Sequence, residues 1–250
     1  MQKTLLPALA IVIFSMPGMV CAQGDSPTVD EVVQKHTQAM GGTEKLKGLK
    51  TVRLSGSASV SGMEAPTVMV MKRPDKVRLD LTVMDQKVTQ AADASSAWMI
   101  NPFVGGPDAQ PMPDEMASDF RSGGDLEGPL VDYKAKGNTL ELLGKEDVSG
   151  KPAYKVKLTR KNGHTDTLYI DASTYLQVKA LSRRNIMGQD TDVETLTSDF
   201  KDVEGVKFPG KIEQSANGNP VFALTVEKIE VNIPIEDAIF AKPEKQPAAK

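Results

Sequence analysis

Cysteine is nearly absent: the 250 residues contain one, Cys21. It sits at the end of a leader-like stretch. Removal of that stretch leaves no thiol, which excludes disulfides, thiol catalysis and thiolate metal sites together. Histidine is almost as scarce, with only His36 and His164. The sequence contains no His-Glu-x-x-His, no Gly-x-Ser-x-Gly, and no Walker-type or dinucleotide-binding glycine loop. The motifs of zinc peptidases, serine hydrolases and nucleotide enzymes are therefore missing, and no cofactor is implied. Aromatic residues make up 5% of the chain, with a single tryptophan. Nor is there a cationic excess. Without Lys3 the basic residues number 29 against 33 acidic ones, a mildly acidic balance that gives no footprint for nucleic acid.

Residues 1–22 have the layout of a signal peptide. Lys3 gives a positive start, Leu5–Phe14 is apolar apart from the interruption at Pro7, and Pro17-Gly18 breaks it. Val20-Cys21-Ala22 then supplies small residues at the usual cleavage spacing. The apolar run is too short to span a bilayer. This predicts export to the periplasm and a mature chain beginning at Gln23. Val20, where a lipidation signal wants a small residue, argues against tethering to the outer membrane through Cys21.

The remainder, 40% hydrophobic and 25% charged over the whole chain, reads as one domain over 23–240, with a flexible tail at 241–250. Thr28 and Glu31 have capping-box spacing, and Val29, Val32, Val33, His36 and Met40 fall on one helical face before Gly41-Gly42. A short helix is predicted over Thr43–Leu49. From Lys50 the period changes to two. Val52, Leu54, Ala58 and Val60 alternate with polar residues, and strands are predicted near 66–73, 76–84, 86–92 and 96–101. They resume near 138–148, 152–161, 164–171, 175–185, 190–203, 206–215 and 220–231. Lys161-Asn162-Gly163, Glu204-Gly205 and Asn217-Gly218-Asn219 supply turns. About 11–12 antiparallel strands are expected. The exception is 102–136, rich in proline and glycine, with a predicted helix over Asp114–Arg121 and a further helical turn around Leu130, Val131 and Tyr133. An excursion of that length inside a compact domain suits a lid.

Individual polar residues point to little chemistry. His36 belongs to an apolar helix face, so a packed, hydrogen-bonded role is expected; His164 follows a hairpin turn and is expected to be solvated. Asp190, Asp192 and Glu194 share a strand face but lack the glycine and spacing of a calcium loop, so a wet face is the expected reading.

Methionine is the better lead. Of nine beyond residue 22, eight lie between Met40 and Met116, and methionine suits apolar surfaces that accommodate variable partners. Val68–Met71 is apolar on both strand faces and leads into Lys72-Arg73-Pro74; Trp98-Met99-Ile100 repeats the pattern. Two-sided apolar strands fit a sheet with a core on one side and a cavity or cover on the other.

Lys72-Arg73-Pro74 at a strand end, with Trp98-Met99-Ile100-Asn101-Pro102-Phe103-Val104 two strands later, resembles the periplasmic lipoprotein carrier LolA family. That family shows a Lys-Arg-Pro and a Trp-x-x-Asn-Pro-Phe at similar separation. The match is sharpest over 66–104, while Ala39-Met40-Gly41-Gly42 and Lys50–Gly56 look like outer-membrane lipoprotein-sorting proteins. The resemblance implies a mainly β fold: an incomplete, curved antiparallel barrel with an N-terminal helix and a helical lid over an apolar cavity that holds acyl chains. It implies no reaction and no cofactor. The expected partners are lipoprotein acyl chains or lipid, an inner-membrane donor and an outer-membrane acceptor, with the carrier a monomer. In the family the arginine of Lys-Arg-Pro hydrogen-bonds into the lid, a position that Arg73 occupies. Here Met69, Met71 and Arg73 share a strand face, so the guanidinium would lie beside an apolar wall. It would need lid carbonyls as acceptors. The expected lining is Met69, Met71, Arg73, Val77, Leu79, Leu81, Trp98, Met99, Phe103 and Met116. A sensor or interaction module on the same fold is the alternative, and a hydrolase is disfavoured by the missing motifs.

Overall fold

In the computed structural model, residues 26–60, 62–186 and 189–243 are described. The predicted signal peptide and most of the predicted tail lie outside them. The order is α1 (Val29–Ala39), α2 (Thr43–Gly48), β1 (Thr51–Val60), β2 (Met63–Lys72), β3 (Lys76–Val83), β4 (Gln86–Ala92), β5 (Ala97–Asn101), β6 (Gly106–Pro111) and α3 (Asp114–Ser122). There follow β7 (Thr139–Val148), β8 (Lys151–Thr159), β9 (Thr165–Asp171), β10 (Gln177–Ile186), β11 (Gln189–Ser198), β12 (Lys201–Val203), β13 (Val206–Phe208), β14 (Lys211–Ala216) and β15 (Asn219–Val231). Thirteen strands form one antiparallel sheet in the order β6-β5-β4-β3-β2-β1-β15-β14-β11-β10-β9-β8-β7, and β12-β13 is a separate hairpin. The outermost strands, β6 and β7, are not paired to each other, so the sheet is an open barrel.

The strand count exceeds the expected 11–12 for two reasons. The predicted strands at 190–203 and 206–215 are each broken in two, and Gly106–Pro111 forms an edge strand inside the excursion. Two prolines in β6 hid it; an edge is where a strand tolerates proline. Leu130–Tyr133 forms hydrogen-bonded turns instead of the predicted helix.

Register fixes which side chains face inward. Leu54 pairs with Met69, Met69 with Leu79, Leu79 with Gln90 and Gln90 with Met99. Paired residues share a face, so these lie on the inner surface. The neighbouring row Val70, Arg78, Ala91 and Trp98 points outward. Gly56 marks the bend in β1, where the register against β15 shifts. A Cβ there would fall 2.0 Å from the Thr225 carbonyl oxygen, so only glycine allows the approach.

Apart from Arg78 the outer row is apolar, because the chain returns over it. After β15 the segment 232–240 crosses the backs of β2 to β5. Thr51 Oγ1 donates to the Ile233 carbonyl at 2.7 Å, and Lys72 and Lys76 pair with Asp237 at 2.7 and 2.9 Å. Arg78 donates to the Ile239 carbonyl, and the Trp98 indole N–H donates to that of Phe240 at 2.9 Å. Phe240 is fully buried, and Arg78 lies over the Trp98 ring. The two lysine hydrogen bonds hold the Asp237 carboxyl down at about 2. A depressed carboxylate contributes stability above its unfolded value of 3.8 and loses it as pH falls toward 2.

At the other end of the sheet, α1 packs on β7 to β10. The Thr28 hydroxyl accepts from the Glu31 amide at 3.2 Å and the Glu31 carboxylate accepts from the Thr28 amide at 2.7 Å, completing the capping box. Val32, Val33, Tyr154, Val156, Leu158, Leu168 and Ile170 form the core beneath.

Candidate functional site

Inside the sheet, the inner face leaves an apolar hollow of two neighbouring lobes, both bordered by Met69 and Ile212. The larger lobe, about 570 Å³, is walled by Leu79, Leu81, Val83, Val88, Val60, Met63, Phe222 and Leu224, with Phe103 at its rim and Phe120 reaching in from α3. Its polar contributors are Gln90, Asn101 and Gln214. The smaller, about 320 Å³, runs between Met71, Leu54, Leu46, Met40, Val206, Phe208 and Leu126. Both volumes fall within the range of small-molecule sites, roughly 300–1,000 Å³. Three methionines supply the wall between β2 and the helices, where an unbranched, flexible side chain can follow a changing guest.

The excursion borders this hollow. Ala117 of α3 is buried, and the Arg121 Nε donates to the Asp93 carbonyl at 2.8 Å, fixing the helix to the β4–β5 turn. Asp119 pairs with Arg184 of β10 at 3.0 Å, so α3 bridges the two halves of the open sheet. Beyond α3, the segment 123–130 forms a wall of the smaller lobe.

Arg73 stands at the junction of sheet, α2 and lid. Its Nε donates to the Leu49 carbonyl, its Nη2 donates to the Leu46 carbonyl at 2.9 Å, and the same nitrogen meets Glu127 Oε1 at 2.7 Å. Glu127 is nearly buried and lies 3.6 Å from Lys136, which holds Asp125 at 2.7 Å. The expected acceptors were lid carbonyls. The carbonyls that accept belong instead to the end of α2, and the contact with the lid runs through the Glu127 carboxylate. Carbonyls exposed at a helix C-terminus favour a cation, which explains the choice.

Several expected lining residues are placed elsewhere. Trp98 is on the outer face under Phe240; the family-like motif marks its burial by the C-terminal segment, not a cavity wall. Val77 faces inward but is wholly buried and borders neither lobe. Met99 is on the inner face, half-buried, beside neither lobe. Met116 is exposed on α3, where Phe120, one turn on, takes the inward position. Met69, Met71, Leu79, Leu81 and Phe103 do border the hollow. Reading by sequence missed Val60, Met63, Val83 and Val88 in the first half of the sheet, Ile212, Phe222 and Leu224 in the second, and Glu127 in the excursion. The alternation Phe222, Leu224, Val226 was a visible signal, but nothing local shows that β15 pairs with β1.

His36 borders the smaller lobe and is buried, with Nδ1 2.8 Å from the Tyr175 carbonyl. Burial pushes its pKa below the usual 6.5, against the opposing effect of that hydrogen bond. The unfolded chain therefore binds a proton that the folded one refuses. Stability is complete above 6.5 and falls as pH drops below it, by up to about 1.4 kcal/mol per unit until the folded form also protonates. Urea unfolding of wild type and His36→Gln between pH 7.5 and 5.5 checks this, the prediction being a shallower decline in the variant. His164 is half-exposed, 3.9 Å from Asp119. Glu194 pairs with Lys179 and Asp190 with Arg183, as a wet strand face requires. Among the described residues no group of three or more His, Cys, Asp or Glu could hold a metal, and no helix is long and apolar enough to cross a membrane.

No known protein-family profile matches the chain, and no curated protein matches it in sequence. Solved structures do match in shape. One is a DUF1329 family protein from Desulfovibrio piger, with TM-score 0.56 and 11% identity, covering 86% of this chain and 98% of that one. Another is an outer membrane lipoprotein-sorting protein domain from Vibrio parahaemolyticus, with TM-score 0.55 and 11% identity, covering 85% and 95%. A third is a LolA superfamily protein from Nitrosomonas europaea, with TM-score 0.53 and 14% identity, covering 87% and 99%. Identities this low establish the fold and nothing finer.

Proposed function

Starting from a chain with the LolA-like fold, we propose that it is a periplasmic carrier that takes acyl chains of lipoproteins or lipids into its hollow and passes them toward the outer membrane without chemical change. What supports this reading is the pair of apolar hollows on the inner face, bordered by Met69, Met71, Leu79, Leu81 and Phe103. Each methylene hidden from water contributes about 0.8 kcal/mol, so one long acyl chain represents on the order of 10 kcal/mol of exposure. A carrier that crosses an aqueous compartment must bury that surface and then give it up. A lid that closes over its own hollow when empty competes with the guest and keeps binding reversible. The leader-like residues 1–22 support the location, and an inner-membrane donor and outer-membrane acceptor complete the route.

The reading makes no use of His36 or His164 as catalysts. Purification from native membranes, solvent extraction and mass spectrometry should recover acyl-chain lipid, and an acyl fluorophore should bind and be displaced by lipid. Recovery of no lipid together with no fluorophore binding sinks the proposal. Leu79→Asp places a charge in the larger lobe and should weaken fluorophore binding at least about tenfold, since an unpaired carboxylate against hydrocarbon costs several kcal/mol.

A further inference from the structure

Beside the lid lies a hollow of about 480 Å³ with the opposite chemistry. Lys136, Arg160 and Lys161 line it with one carboxylate, Asp125. Carboxylates from outside the lining also face them, Glu127 against Lys136 and Asp166 against Arg160. Asp125 also borders the smaller apolar lobe, so the two hollows are neighbours.

The basin is built, not merely decorated by surface lysines. Asn138 is buried; its Nδ2 donates to the Pro129 carbonyl at 3.2 Å and its Oδ1 accepts from the Lys161 amide at 3.3 Å, tying the lid segment to the β8–β9 turn. The stem of Lys161 lies against Gly137, where a Cβ would come within 3.3 Å of Cγ and Cδ, at a φ of +77°. Arg160 is oriented by buried Asp166, which accepts from Nε at 2.8 Å. That bond leaves the terminal guanidinium nitrogens, and the Lys161 ammonium, without a partner among the described residues. Lys136 spends its ammonium on the lid: it donates to Asp125 at 2.7 and 2.9 Å and to the Gly128 carbonyl at 2.8 Å.

We propose that this basin binds the phosphate headgroup of an anionic amphiphile whose tail occupies the apolar hollow; the proposal rests on the carrier reading above. A phosphate satisfies the open donors of Arg160 and Lys161 with charge-assisted hydrogen bonds, whereas an uncharged headgroup leaves them unmatched. It also competes with Asp125 for Lys136. Headgroup capture thus draws Lys136 off the Gly128 carbonyl and loosens the segment that walls the smaller lobe, coupling recognition of charge to release of the cover.

The test is displacement of a bound acyl fluorophore at low salt by two amphiphiles of equal chain, palmitoyl lysophosphatidic acid and monopalmitoylglycerol. The phosphate ester should bind at least about tenfold tighter, and added salt should shrink the preference. In Lys161→Glu, an exposed position, the preference should fall below about threefold with monopalmitoylglycerol unchanged; Lys161→Ala should lie between. Equal affinities in wild type overturn the headgroup site and leave the hydrophobic carrier standing. Binding of neither overturns both. Inorganic phosphate alone is the third arm: Lys161-dependent binding as tight as that of the phosphate ester assigns the basin to the free ion and overturns the lipid headgroup.

Discussion

Replacing Arg73 by leucine should accelerate release of a bound acyl ligand ten- to hundred-fold while changing the loading rate far less. Each hydrogen bond to a charged group is worth about 1.5–3 kcal/mol, and a single such loss already gives this range. The guanidinium joins three separate parts: the strand that carries Met69 and Met71, the end of α2 through Leu46 and Leu49, and the lid through Glu127. Leucine retains apolar area but returns none of the donors. Glu127, nearly buried, would keep only Lys136 among the described residues, and the lid would open to rehydrate it. Arg73→Lys should fall between, because an ammonium lacks the fork that engages two carbonyls and a carboxylate together. Stopped-flow transfer of a fluorescent acyl ligand to acceptor vesicles measures the rate. Unchanged kinetics in Arg73→Leu would remove this residue from the mechanism. A double-mutant cycle with Glu127→Gln separates the lid contact from the α2 contacts.

The second large effect concerns stability. Phe240→Ala should cost about 3–5 kcal/mol, the usual range for deleting a fully buried phenyl ring. For a chain of this size that corresponds to a fall in Tm of roughly 6–20 °C. Phe240 holds the C-terminal segment over the outer face of β2 to β5, and its carbonyl accepts from the only tryptophan. Emission from Trp98 is therefore a clean reporter, expected to shift to the red as the segment lifts. Urea unfolding followed by that emission gives the free energy. A loss below about 1 kcal/mol, the size of a surface change, would show that the segment is not part of the core. Asp237 offers a milder version, since protonating or removing its carboxylate releases Lys72 and Lys76 without opening a cavity.

These two residues also show what could be read from the chain alone. Val68–Met71 announced that both strand faces are covered, and the alternation at Val77, Leu79 and Leu81 gave the correct inward set. Periodicity carries that information because side chains alternate along a strand. Which cover lies on which face was not legible. Trp98 is as apolar on the outside, under Phe240, as it would be against a ligand, and the partner that distinguishes the two lies 142 residues away. Methionine clustering pointed to the right region but not to the right members. Met69 and Met71 border the hollow whereas Met84 and Met116 are exposed. Composition has no face. The part of the wall supplied by Ile212, Phe222 and Leu224 depends on β15 returning to pair with β1, a long-range closure with no local signature. His36, by contrast, was decided locally: one histidine on a capped, amphipathic helix has little choice but to turn inward and find an acceptor.

The unpaired margins of the sheet have a mechanical meaning. A closed barrel has its girth set by strand number and stagger, and cannot widen without breaking a full ladder of hydrogen bonds. Here β6 and β7 remain separate, and α3 reaches across to β10 through Asp119 and Arg184. Parting these two margins costs the contacts of α3 and no ladder of hydrogen bonds.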